Sequence, residues 1–268
     1  MICKNYRKDI FCSAYSEDGE LFQLAIKLKN APGSVAEIAN ILCSKHVNFL
    51  HGFHTVCPGR EEAVWGLFID LKESNTKIEN LVKEIEGLES TIEVKFSRPI
   101  IDGLIVDNLH FPMMVMGERS IVMRIDTFAE SFNRLYEKFG SGAYFILYEM
   151  GRAAGKRRIK KINEKYCLDK ITALKVILAE RAAKGWGISE IESFNEEKKE
   201  STITIRELFE CMPFQGRSKR SKSHFFRGYL AGVLSQLFGN PTLVIEAECV
   251  AKGDPNCRFI GRPQSEIK

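Results

Sequence analysis

Nowhere in this 268-residue chain does an apolar run approach the roughly 20 residues that a membrane-spanning helix needs. The opening Met-Ile-Cys-Lys-Asn-Tyr-Arg-Lys lacks the apolar core and small-residue cleavage site of a secretory signal, so a cytoplasmic protein with no membrane partner is expected. No Walker loop, Rossmann glycine fingerprint or paired nucleophile and base can be read in the chain. No catalytic residue is therefore assigned, and no organic cofactor motif is evident. Also missing are a helix-turn-helix pattern and the interleaved aromatic platform that nucleic-acid binders use. The net charge of +4 is mild and neither demands nor excludes a nucleic-acid partner.

What is present reads as a globular protein: 44% hydrophobic and 28% charged residues, in a chain long enough for two ordinary cores. Eight cysteines without an export signal point to thiols or metal ligands rather than disulfides. Six of them (Cys3, Cys12, Cys43, Cys57, Cys167 and Cys211) are scattered, as small apolar side chains often are. Cys249 and Cys257 sit close together and stand apart.

In the first hundred residues, Phe22, Leu24, Ile26 and Leu28 alternate with Gln23, Ala25 and Lys27, the period of a half-buried strand. Asn30-Ala31-Pro32-Gly33-Ser34 makes a turn in which Ser34 can cap the next helix, whose apolar face carries Val35, Ile38, Ala39 and Leu42. Strands follow over 47–56 and 63–71, with Pro58-Gly59 as the turn between them. Ile78, Leu81, Val82, Ile85 and Leu88 then mark a helix, and Ile92, Val94 and Phe96 a last strand. The order βαββαβ is the ferredoxin-like arrangement. His46, His51 and His54 lie close in sequence, but His51 and His54 have opposite parity on a strand and point to opposite faces, so no metal site is assigned to them.

The strand, the Asn30-to-Ser34 turn and the helix resemble an ACT domain, over roughly residues 20–97. The resemblance implies a small-molecule site, commonly for an amino acid, beside Asn30, Pro32 and Gly33, and pairing of two copies into a homodimer. Gly33 would let backbone amides approach a carboxylate at the helix start. The plainer alternative is a tight turn with no ligand.

From Phe111 the pattern changes. Short apolar runs at 113–116 and 121–125 precede helices at about 127–139, 141–165 and 169–184. Strands follow at 186–194 and 202–211, then a helix at 223–238 with Gly228, Gly232 and Ser235 at close-packing spacing, then strands at 242–251 and 256–261. This is an α+β domain, helices on an antiparallel sheet. Cys249 and Cys257 flank Gly253-Asp254-Pro255, and side chains on either side of a tight turn can converge on one point.

That hairpin, with Gly228-Tyr229-Leu230-Ala231-Gly232 and the earlier segment Ile146 to Gly155, resembles the 4-vinyl-reductase domain family, over roughly residues 104–262. The family includes sensor domains of phenol- and xylene-responsive activators. The resemblance implies a structural zinc held by Glu246, Cys249, Cys257 and a fourth ligand at the start of the preceding helix. There this chain has Ser223 followed by His224, so His224 or Cys211 substitutes, or the site is incomplete. On an ideal strand Glu246 and Cys249 do not share a face, so a bulge or twist is required. The resemblance also implies an apolar ligand cavity, with Phe111, Phe145, Tyr148, Trp186 and Phe225 as candidate walls and ordinary core as the alternative.

Arg152, Lys156, Arg157, Arg158, Lys160, Lys161 and Lys165 crowd one helix, and Arg217, Lys219, Arg220 and Lys222 one loop. A solvated face is preferred to a phosphate-binding surface. The domains are expected at 1–98 (ACT-like) and 111–268 (4-vinyl-reductase-type), joined by a linker at 99–110. The expected function is a non-catalytic small-molecule sensor. The alternatives are an enzyme or accessory of tetrapyrrole or hydrocarbon metabolism, and a nucleic-acid-binding regulator.

Overall fold

Residues 6–264 are described by the computed structural model of the protein, which leaves Cys3 outside them. The chain divides between Ile121 and Val122 into two units.

The first unit opens with β1 (Ser13–Tyr15) and β2 (Leu21–Lys29), then α1 (Ser34–Ser44), β3 (Asn48–Val56), β4 (Glu62–Asp70), α2 (Ile78–Glu86) and β5 (Thr91–Ser97). From β2 onward this is the expected βαββαβ order, in a sheet ordered β3-β4-β2-β5 with every neighbour antiparallel. Phe22, Leu24, Ile26 and Leu28 face both helices and form the core with Ile38, Leu42, Leu81 and Ile85. Helix α1 differs in detail from expectation. Gly33, with a φ of 94°, is its N-cap, and no side chain caps it; Ser34 is instead its first, buried residue. The left-handed φ is what a glycine supplies there. The buried stripe is Ser34, Ile38 and Leu42, leaving Val35 at the surface.

The segment 99–110, expected as a linker, is folded onto this unit. β6 (Leu104–Val106) pairs antiparallel with β1, and Ile105 is buried with Leu21 and Phe68 on the sheet face away from the helices. Polar contacts fix the same segment. Gln23, fully buried, donates to Asp107, while its carbonyl oxygen accepts from Ser97 (3.1 Å) and from the backbone of Asn108 (3.2 Å). A buried amide with its hydrogen bonds made is stable where an unpaired one is costly. The unit ends with the hairpin β7 (Met114–Val115) and β8 (Glu118–Arg119).

The second unit contains α3 (Ile125–Phe139), α4 (Gly142–Tyr166), α5 (Lys170–Ala183), β9 (Ile188–Asn195), β10 (Glu200–Arg206), α6 (His224–Phe238), β11 (Thr242–Glu248) and β12 (Cys257–Pro263). Its sheet is ordered β11-β12-β10-β9, antiparallel throughout. Helices α4 and α6 cross with their backbones in contact. A Cβ on Gly151 would lie 1.9 Å from the Phe225 carbonyl oxygen, and one on Gly155 2.1 Å from that of Tyr229. From the other helix, Gly228 would meet the Tyr148 oxygen at 2.0 Å and Gly232 the Arg152 oxygen at 2.2 Å. Glycines four apart occupy one face of each helix, and only hydrogen fits between them.

The basic helix is partly used within the fold. Arg158 binds the buried Glu180 at 2.7 Å, and Arg181 and Lys184 bind the same carboxylate at 2.7 and 2.6 Å. The Arg181 guanidinium also lies 4.5 Å from the Trp186 ring centre. Among the described residues no helix is long and apolar enough to cross a membrane.

Candidate metal centre and ligand cavity

Three buried thiols and one carboxylate converge at the foot of α6. One ligand atom each from Cys211, Glu246, Cys249 and Cys257 lies within 4.8 Å of every other, the one such group of four among the described residues. They come from three separate segments. Cys211 follows the end of β10 and precedes a short 3-10 turn at Met212–Phe214. Glu246 is on β11, Cys249 begins a 3-10 turn over Val250–Lys252, and Cys257 opens β12. The register of β11 against β12 shifts between Glu246 and Glu248, so the irregularity that the parity argument requires is present. Gly253, at φ 104°, reverses the chain, and the Asp254 carboxylate accepts from the Cys249 backbone at 2.7 Å.

The donor set fits a tetrahedral cation. Cys211 Sγ and Cys249 Sγ are 3.6 Å apart, close to the ~3.8 Å edge of a tetrahedron with Zn–S bonds of ~2.3 Å. Three soft thiols with one carboxylate match zinc better than calcium or magnesium. The Ser223 hydroxyl donates to one oxygen of Glu246, and the other oxygen, Oε1, is buried without a hydrogen-bond partner. That is the atom left for a metal.

The electrostatics point the same way. Hydrogen bonds from Cys211 and Cys257 hold the Cys249 thiol well below its ordinary value, so it carries the first negative charge. Its bonds to Cys249 and Cys257, with burial, push the Cys211 thiol far up. Burial and the neighbouring Cys249 push Glu246 up to about 8. A cluster that holds only one charge easily by itself needs a cation to ionise fully. Beside it, Glu210 accepts from the backbones of Phe225 (2.9 Å) and Phe226 (2.8 Å) at the start of α6, and burial pushes it up to about 8.

His224, the other candidate for the fourth ligand, is not one of the four. Its ring stacks on Tyr144 with centres 4.2 Å apart, and burial and the nearby Arg227 and Lys222 hold it down at about 4. Cys211 takes the place that a residue at 223 would fill.

A cavity of about 580 Å³ lies beside this centre. Tyr144, Phe145 and Tyr148 of α4 form one wall, Arg152 and Arg227 the rim, and Thr242 to Ile245 of β11 the other side. Phe145 and Tyr148 are thus where the ligand reading needs them. Trp186 is not: it packs against Phe209, Phe225 and Tyr229 in the core. Phe111 lies in the first unit, 81% exposed, under Arg119. In the ACT-like unit, the Asn30 side chain donates to the Arg60 carbonyl at 2.7 Å, fastening the β3–β4 turn, while Pro32 and Gly33 are exposed.

The chain is similar in fold to the phenol-responsive sensory domain of the transcription activator PoxR with phenol: 20% identity, 59% of this chain, 86% of that one, TM-score 0.51. A vinyl-4-reductase family protein from Methanocaldococcus jannaschii aligns over 55% of this chain and 85% of its own at 24% identity, TM-score 0.39. The N-terminal region aligns with the ACT domain of a GTP pyrophosphokinase from Chlorobium tepidum over 30% of this chain and 99% of that one, at 14% identity and TM-score 0.26. No curated protein matches the sequence. Residues 202–263, which span β10, α6 and the cysteine hairpin, match the 4-vinyl-reductase domain family, so the second unit of this chain carries a 4-vinyl-reductase domain.

Proposed function

We propose that this chain is a ligand-responsive regulator. Its 4-vinyl-reductase-type unit takes up a small apolar or aromatic molecule, and a zinc ion on Cys211, Glu246, Cys249 and Cys257 braces the wall of the ligand site. The observation that carries this reading is the cavity between α4 and β11. Its volume of about 580 Å³ is in the range of small-molecule sites, and Tyr144, Phe145 and Tyr148 give it an aromatic wall. The likeness in fold to a phenol-responsive sensory domain supports a ligand of this kind.

Cavity and metal centre share structure. Ile245 lines the cavity and Glu246 is the next residue; Tyr144 lines the cavity and stacks on His224, which follows Ser223. A molecule that moves β11 or α4 therefore acts on residues that hold the zinc, a route by which binding can change shape. The zinc would supply structural bracing, by joining the β10 loop to the β11–β12 turn.

The test is binding of small aromatics to the zinc-loaded full chain, read by saturation-transfer NMR and by thermal stabilisation. Phenol, naphthyl and phenylalkyl compounds are the probe panel, against the wild type and Tyr148→Ala. Binding that weakens in Tyr148→Ala supports the reading. No binding from the whole panel, or binding indifferent to Tyr148→Ala, refutes it.

A further inference from the structure

The cavity has a charge asymmetry that a purely apolar ligand does not use. Among its lining residues three are charged: Glu149, Arg152 and Arg227. Glu149 is matched to Arg152 at 3.0 Å. Arg227 is not matched: its guanidinium lies 5.3 Å from the Tyr148 ring centre, and its Nε is buried without a hydrogen-bond partner. A guanidinium presents its donors in a planar fork suited to a carboxylate or phosphate, and a buried donor left unpaired is costly.

The opposite side of the cavity is β11. Four consecutive residues of that strand, Thr242 to Ile245, line it, whereas alternate side chains point to opposite faces of a sheet. The cavity therefore runs along the rim of the strand. β11 is an edge strand, with one rim of N–H and C=O groups unpaired in the sheet, so polar groups are available on that side also.

We infer that the ligand is an anionic amphiphile: a carboxylate or similar oxyanion held by Arg227, with an aromatic or aliphatic body against Tyr144, Phe145 and Tyr148. This rests on the cavity being the ligand site and adds the charge of the ligand to it. The Arg227 fork, already packed face-on to Tyr148, holds the head group at the inner end of the aromatic wall. Arg152, tied to Glu149 and more exposed, contributes by field rather than by a fixed contact.

The experiment compares 2-naphthoate with 2-naphthamide, the same body with and without charge, by calorimetric titration of the zinc-loaded full chain. Wild type is expected to prefer the carboxylate by about 10- to 100-fold, the worth of one charge-assisted hydrogen bond. In Arg227→Gln that preference should collapse, with naphthamide affinity kept. Arg152→Gln, at a more exposed position, should lower the preference only a few-fold, and it reports on charge even if Arg227→Gln fails to fold. Equal binding of the two compounds, or a preference that survives both variants, overturns the anionic ligand but leaves the cavity as the binding site. Binding of neither compound removes the inference together with the site it rests on.

Discussion

Cys211 and Cys249 are 38 residues apart in sequence, yet their sulfur atoms are 3.6 Å apart, with the Ser223 hydroxyl on Glu246 completing the cluster's edge. Two positions thus compete for one coordination site: Cys211, which fills it, and Ser223, which touches a ligand without being one. Cys211→Ser should lower zinc affinity by about 10- to 100-fold, as loss of a thiolate ligand at a structural site would. The double variant Cys211→Ser/Ser223→Cys should recover most of it, since residue 223 already reaches Glu246. Metal content per chain and competition with a chromophoric chelator measure both. Full zinc retention in Cys211→Ser would sink the assignment of that cysteine.

Zinc uptake should release protons. At pH 7, Cys249 is already ionised, whereas Cys211, Cys257 and Glu246 lie above neutral, Glu246 at about 8. In Cys257 the bond with Cys211 pulls downward, and the Cys249 thiolate and burial outweigh it. Each of those three groups gives up its proton to ligate, so about three protons leave per zinc. Titrations in buffers of different ionisation enthalpy count them. Stability should then depend on pH with opposite slopes. Without metal, the folded chain keeps the protons of Glu210 and Glu246 up to about 8, while the unfolded chain loses them near 4.5. Folded binds more protons than unfolded in that window, so metal-free stability falls as pH rises through it. With zinc bound the ligands are deprotonated and stability rises with pH instead. Denaturation midpoints with and without chelator settle the two signs.

Much of this was legible in the sequence because periodicity and turn chemistry agree with the final packing. Phe22 to Leu28 on one face, the helix stops and the cysteine hairpin all follow local rules. The requirement for a bulge near Glu246 could be deduced from strand parity before any coordinates, and the register shift is there. Cys211 could not be chosen over His224, because the strand read as running to 211 ends at Arg206. Glu207, at φ 54°, turns the chain out of the sheet and delivers Cys211 to the metal centre. Trp186 reads equally well as wall or core from sequence, since an aromatic residue at a helix-to-strand junction serves either. Its position under Arg181 is a tertiary fact, as is the packing of Ile105 that makes the expected linker part of the first unit.

The glycine crossing between α4 and α6 makes a sharp prediction. In an ordinary exposed helix, Gly→Ala stabilises by about 0.5–1 kcal/mol. Gly228→Ala and Gly155→Ala would instead place a methyl 2.0 and 2.1 Å from backbone oxygens that cannot rotate away. The helices must separate, and overpacking of this kind costs about 1–3 kcal/mol or more. Gly142→Ala is the control: its nearest neighbour is 3.9 Å away, so it should be neutral or stabilising. Urea midpoints for the three variants separate a backbone-contact requirement from a general intolerance of change in α4.

Glu180 is the acidic centre of the buried ion cluster and gives the last prediction. Burial pushes its carboxyl up, but bonds from Lys184 and Arg158 and the charge of Arg181 outweigh burial and hold it below the ordinary carboxylate range. Glu180→Leu would leave Arg158 and Arg181, with exposures of 16% and 7%, facing each other without a counter-charge. Breaking one side of a buried pair costs about 3–5 kcal/mol, far more than the pair itself contributes. Replacing all three by apolar residues, as in Glu180→Leu/Arg158→Met/Arg181→Met, should recover much of that loss, because no buried charge is then stranded. If the single variant is as stable as wild type, the cluster is solvated in solution and the cation stack on Trp186, not Glu180, fixes Arg181. Calorimetric melting of the single and triple variants, each zinc-loaded, distinguishes these cases.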